Sequence, residues 1–350
     1  MLSMHRNGVY RMPAEWETQK STWIAWPHNK EDWPGKFNEI PRVFGKIISE
    51  LSKFQLVNIL IKYKSEQKKI IFFLKICGAN IKNTRLIVCK TDRAWTRDFL
   101  PIFIKNEKEK NILSKWEFNG WAKYKNFKND NVAYSKIRRF RKINIIKPKY
   151  NNKKIVLEGG SIDVNGKGLL LTTKQCLLSK VQQRNKGLKK DDYNQIFKKY
   201  FGASKVIWLN KGILGDDTHG HIDDIARFID KNKIFLAIEN NKKDKNFINL
   251  KENLNIIKKF KKENKEKFQI IHIPMPSPKF VDGIRLPASY LNFYIANKVV
   301  LLPCFNDPKD KIVFKIFKKH FKNRKIIPID SSILVWGFGT IHCLTQQEPL

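Results

Sequence analysis

Ten short apolar runs, separated by turn-forming residues and by longer polar stretches of helical spacing, restrict what this chain can fold into more than any other feature. They fall at 21–26, 54–61, 84–89, 100–104, 167–172, 205–209, 233–238, 268–273, 298–303 and 325–329. Their length and their Ile, Val, Leu and Phe content read as strands. Between them, residues 36–52, 64–76, 189–201, 250–264 and 309–322 carry apolar positions at helical spacing. Such alternation predicts an α/β protein. Pro and Gly are sparse and dispersed, so no linker divides the chain.

A second regularity lies in the polar residues. Five times a reactive or charged group precedes or opens an apolar strand: Asp98 before FLPIFI, Glu158 and Asp163 before KGLLLT, His221 and Asp223 before ARFI, Asn292 before FYIAN, and Cys343 within IHCL. Successive intervals from Asp98 to Asp163, Asp223, Asn292 and Cys343 are 65, 60, 69 and 51 residues. Spacing of this size predicts a few equivalent supersecondary units around a centre, each offering a polar side chain to one shared site. The last strand then closes the ring, which explains a cysteine so near the C-terminus.

Charge is the loudest bulk property. Lys and Arg outnumber Asp and Glu 69 to 32, a formal net charge of +37. That total suits a nucleic-acid partner or an anionic membrane. Its distribution does not, because lysines are scattered among Asn and Ile without an arginine-rich motif or an aromatic-basic platform. The chain is expected to bind neither nucleic acid nor membrane. The five cysteines, at 77, 89, 176, 304 and 343, lack metal-binding spacing and fit a reducing compartment. With no secretory leader pattern and no apolar run of about 18 residues, a cytoplasmic location is expected.

Four segments carry candidate chemistry. In TDRAWTRDFLPIFI, Trp95, Arg97 and Asp98 crowd a strand entrance, and the simplest structural account pairs Arg97 with Asp98 at the surface. In LEGGSIDVNGKGLLLT, Glu158 precedes two glycines that permit unusual backbone angles. The densest constellation is GDDTHGHIDDIARF at 215–228. One reading is a metal-dependent hydrolase using His219, His221 and Asp223. The other is metal-free, with His221 shuttling protons and Asp223 holding a cationic substrate. GFGTIHC then supplies Cys343, either a small buried hydrophobe or a thiolate nucleophile. Asp, Asp, His and Cys together form an inventory for guanidinium chemistry. Two carboxylates fork the planar cation and leave one face open to a thiolate, and one histidine protonates the departing ammonia and then activates water.

At this point the chain resembles the agmatine deiminase family, within the wider guanidino-group-modifying superfamily that includes bacterial-type peptidylarginine deiminases. The motifs that carry the resemblance run in order along almost all of the sequence: RMPAEWETQKSTWIAWPHNKEDWPG at 11–35, then WTRD, LEGGSIDVNGKGLLLTT, QQRN, GDDTHGHIDDIARF, RLPASYLNFYIAN and HCLTQQEP. The resemblance implies one catalytic domain over 1–350, folded as a pseudo-fivefold α/β propeller of ββαβ-like modules around a central active site. It implies deimination of agmatine to N-carbamoylputrescine, in polyamine synthesis, through an amidino-cysteine intermediate, with peptidyl-arginine or free arginine as the alternative substrate. Cys343 is then the nucleophile, His221 the general acid/base, and Asp98 and Asp223 the guanidinium fork; Trp95, Glu158, Asp217 and Asn292 contact the substrate. No metal or organic cofactor is implied, and homo-oligomers are. Two positions depart from the family pattern: His219 replaces an expected acid, and Phe338 an expected glycine.

Overall fold

The computed structural model describes residues 10–350. Each of the ten apolar runs contributes a strand, and each of the five helical stretches contains a helix. A parallel connection between neighbouring strands needs a crossover, and a helix supplies it most compactly.

That rule is used six times among the described residues, in five units. In four units an antiparallel pair is followed by a helix and a third strand parallel to the second. The first unit uses Ile102–Lys105, Asn111–Ser114, the helix Tyr134–Arg141 and Ile145–Ile146. The next uses Asp163–Val164, Leu169–Thr173, Lys190–Phe201 and Lys205–Leu209. Ala226–Asp230, Lys233–Ile238, Asn246–Glu263 and Gln269–Pro274 make the third. Tyr294–Ala296, Val299–Cys304, Lys309–His320 and Lys325–Asp330 make the fourth. The fifth is assembled from both ends of the chain. Gln346–Pro349 lies antiparallel to Gln19–Ala25, which crosses through Ile40–Ser52 to the parallel Leu56–Ile61 and then to Thr84–Val88.

The helices cover their sheets with apolar faces. In the fourth unit Phe317 and Phe321 meet Phe235 and Phe293 with ring centroids 4.9 to 6.0 Å apart. Sheet interiors are continuous runs such as Leu169–Thr173, buried throughout, as strands covered on both faces require. No helix among the described residues is long and apolar enough to cross a membrane.

Two sequence expectations are corrected. IHCL is a turn, and the closing strand is the polar stretch after it, Gln346–Pro349. Asp163 does not face the shared site; its Oδ2 accepts from Phe228 N at 2.6 Å and lies 3.4 Å from Arg227 Nε.

Candidate active site

Asp98 sits in the single turn Thr96–Phe99 ahead of its strand. Trp121 Nε1 donates to its Oδ2 at 2.9 Å and Gly160 N to its Oδ1 at 3.0 Å, which fixes the carboxylate plane. Gly160 is required here because a Cβ would stand 2.5 Å from His221 Nδ1 and 2.8 Å from Asp98 Oδ1. The imidazole of His221 lies between two acids, with Nδ1 3.8 Å from Asp98 Oδ1 and Nε2 3.9 Å from Glu158 Oε2. Glu158 is anchored from the other side by Arg184, whose Nε donates to Oε1 at 2.9 Å.

Cys343 is set by the turn that carries it. Asn292 Oδ1 accepts from Thr340 Oγ1, His342 N and Cys343 N at 2.9, 3.0 and 3.3 Å, while its Nδ2 donates to Cys343 Sγ and Asp224 Oδ1, both at 3.1 Å. The sulfur lies 3.7 Å from Asp223 Oδ2. His342 bridges that same oxygen, at 2.7 Å, and Glu15 Oε2, at 2.8 Å. Gly339 lets the turn press on Trp95, since a Cβ there would stand 2.9 Å from the indole. Between Gly337 and Gly339, Phe338 holds φ of +62°, a conformation rare for an aromatic residue.

A cavity of about 430 Å³ opens over these groups. Trp95, Asp98, Asp217 and Cys343 line it, with Trp121, Thr218 and Phe338. His221, Glu158, Asp223 and Asn292 are buried immediately behind. Sequence reasoning therefore named eight residues that the fold brings to one place, four on the cavity wall and four in the layer that supports it. The acids do not all serve the cavity: Asp216 is spent on its own loop, accepting from the N–H groups of Thr218, Gly220 and His221. Nor do Arg97 and Asp98 form a surface pair. Arg97 is buried and donates to Gln347 Oε1 at 2.6 Å and Glu15 Oε2 at 3.2 Å. His219 Nε2 meets Ser179 Oγ at 3.0 Å, and no three-ligand cluster among the described residues joins it to His221 and Asp223. The metal-hydrolase reading loses its ligand set.

Burial shapes the electrostatics. Burial first, then Asp223 and Glu158, push Asp98 up to about 6 against the pull of His221. Burial would also raise Glu158, but Arg184 and His221 hold it at about 2. Burial disfavours the imidazolium of His221, yet Asp98, Cys176 and Glu158 keep its pKa well above the ordinary value. The Cys343 thiol is pushed well above its usual range by burial and by Asp223, Asp224 and Asp98. Glu158 Oε2, Asp223 Oδ1 and both ring nitrogens of His221 are buried with no hydrogen-bond partner among the described residues. Such groups are costly to leave unpaired unless a ligand completes them.

Sequence reasoning missed the supporting residues Glu15, Arg184, Asp224, Arg227 and His342. All five sit in quoted motifs, but a buried ion pair leaves no periodic signal. The adjacency of His342 to Cys343 was the only available hint.

Five ββαβ units that direct a thiol, an imidazole and several carboxylates to one small cavity define an α/β protein of the guanidino-group-modifying type. The chain belongs to the Porphyromonas-type peptidyl-arginine deiminase family, which it matches over residues 11–349. It is 32% identical to a Legionella pneumophila protein named "Putative agmatine deiminase", over 98% of this chain and 96% of that one. Among solved structures it resembles a C. jejuni agmatine deiminase, a cysteine-to-serine variant with substrate bound, at 30% identity and TM-score 0.85, covering 99% and 98% of the two chains. An Enterococcus faecalis agmatine deiminase, 26% identical, superposes with TM-score 0.87 over 97% and 96%.

Proposed function

We propose that this chain hydrolyses the guanidino group of agmatine, giving N-carbamoylputrescine and ammonia. The observation that carries the proposal is the buried cluster of unpartnered polar atoms on Glu158, Asp223 and His221 beside Cys343, immediately behind a cavity of about 430 Å³. Asp98 and Asp223 hold the guanidinium plane. The bound cation offsets the negative field that keeps the Cys343 thiol protonated, so the thiol releases its proton to solvent and the thiolate forms where its target is. Sγ then attacks the guanidinium carbon. His221, entering as the imidazolium, protonates the departing nitrogen and leaves as neutral imidazole. The amidino-thioether remaining on Cys343 is attacked by water, which gives one proton to His221; collapse expels the sulfur, which takes up the remaining hydroxyl proton to restore the thiol, and releases the ureido product. These residues supply nucleophile, acid and cation pocket, so the reaction needs no cofactor.

Glu31, Asp32, Asp98 and Asp217 outnumber Arg93 and Lys125 along the cavity wall. Arg93 is already paired with Asp32 and stacked 4.1 Å over Tyr124. An acidic mouth favours a substrate tail ending in an amine over one carrying a carboxylate, and so agmatine over free arginine. The five units form one catalytic domain, arranged as a propeller with the site on its axis, and the enzyme acts in the cytoplasm, where it feeds putrescine synthesis. Ammonia release from agmatine, arginine and a blocked arginyl peptide, measured side by side, tests the substrate. Agmatine is expected to be turned over at least tenfold faster in kcat/KM; a preference for either arginine substrate would overturn the choice. Cys343→Ala is expected to abolish turnover, and intact-mass analysis of quenched wild-type reactions to show an adduct on Cys343.

A further inference from the structure

Cys176 is neither nucleophile nor proton carrier in the chemistry above, yet it reaches the same imidazole. It lies in the short helix Lys174–Leu178, buried, with its N–H donating to the Thr173 side chain at 3.0 Å. That threonine hydroxyl in turn donates to Gly220 O at 2.6 Å, tying the helix to the loop that carries His221. Its Sγ, a carboxylate oxygen of Glu158 and a ring nitrogen of His221 all lie within 4.8 Å of one another. A second, independent feature marks the same spot: Glu158 Oε2 and His221 Nε2, 3.9 Å apart and fully buried, have no hydrogen-bond partner among the described residues.

We infer that Glu158, Cys176 and His221 form an inhibitory site for a thiophilic divalent cation of the zinc or cadmium type. One sulfur, one imidazole nitrogen and one carboxylate oxygen match zinc's preferences, and three protein ligands leave a fourth position for water. An ion can sit within about 2.8 Å of three atoms so spaced, the maximum separation divided by the square root of three. Zinc bonds run about 2.0 to 2.3 Å, so a contraction of about 0.5 to 0.8 Å per contact completes the site. The scaffold is already oriented from behind, with Arg184 bridging Glu158 Oε1 at 2.9 Å and Thr218 O at 2.5 Å. Binding displaces the Cys176 thiol proton, and the ring proton when His221 is the imidazolium, releasing both to solvent. An occupied site withholds His221 from proton transfer. The inhibition rests on the function proposed above, whereas the binding does not.

The test therefore has two arms. Cadmium chloride titrated into the Cys343→Ala protein should produce a cadmium–thiolate charge-transfer absorption saturating at one equivalent. That band should vanish when Cys176→Ala or Cys176→Ser is added, each variant first checked for cooperative unfolding like the parent's. A band that survives both substitutions places the metal on other cysteines and overturns the site. In the second arm, zinc chloride should inhibit ammonia release reversibly, with a chelator restoring it. The single variants Cys176→Ala and Cys176→Ser, each scored against its own zinc-free rate, should require at least tenfold more zinc for half-inhibition. Unchanged sensitivity would assign inhibition to Cys343 and sink the inference. If agmatine and the other guanidines give no turnover at all, the functional reading fails and the cadmium band still decides the site.

Discussion

Asp98 must be an anion to hold a guanidinium, yet its surroundings lift its carboxyl to about 6. The sign follows from the direction of the shift. Below about pH 6 the free protein carries Asp98 neutral, and each further pH unit removes most of the remaining binding-competent fraction. A bound cation favours the charged carboxylate, so the limb belongs to the free protein. The expected result is that kcat/KM falls about tenfold per unit below pH 6, while kcat holds to lower pH; a pH-independent kcat/KM from 5 to 7 would contradict it. Asn292 makes a different claim at the same scale. Its amide oxygen gathers three donors of the turn that carries Cys343 and its nitrogen reaches the sulfur. Asn292→Ala should therefore misplace Cys343 without removing Asp98 or Asp223. Misplacement by about 1 Å costs on the order of a hundredfold, so kcat should fall by that factor with KM within about threefold.

The closing strand Gln346–Pro349 shows where elements were legible and where they were not. The ten apolar strands and five helices were readable because burial of Ile, Val, Leu and Phe leaves a pattern in the sequence. QQEP has no such pattern and reads as a polar tail, yet all four residues are buried. Glu348 explains the difference: it accepts from Ser21 Oγ at 2.7 Å, Trp23 Nε1 at 3.0 Å and Arg141 Nε at 2.8 Å. Each partner is remote in the chain, and sequence spacing carries no record of such a pairing. The candidate site divides in the same way. Asp98, Glu158, His221 and Cys343 stand in compact motifs at strand ends, while Glu15 and Arg227, which form a buried ion pair at 2.9 Å behind them, are separated by most of the fold. Glu348→Ala leaves the buried Ser21 and Trp23 donors unpaired and the partly buried Arg141 without its carboxylate, a loss of about 1 to 3 kcal/mol. Denaturant unfolding should report a destabilisation in that range, and a change under about 1 kcal/mol would show that solvent replaces the contact.

At the scale of the whole molecule, a protein of net charge +37 is proposed to take up a dication. The two facts are compatible because they act over different distances. Scattered surface lysines produce a repulsive field that salt screens beyond about 8 Å at physiological strength and about 30 Å at 0.01 M. The acids proposed to meet the substrate are local: Asp98 and Asp217 line the cavity, and Asp223 is buried behind it, where screening is weak. Raising the salt from about 0.01 M to about 0.15 M should therefore remove repulsion during approach while leaving the bound contacts nearly intact. For agmatine, kcat/KM is expected to rise a few-fold over that range with kcat constant, and for an alkylguanidine of similar length without the terminal amine the rise should be smaller. The opposite slope, a steady fall in kcat/KM with salt, would mean that the acids at the mouth outweigh the lysine shell even at long range. The surface charge would then be too weakly expressed near the cavity to govern encounter, and the sign of the slope decides between the two.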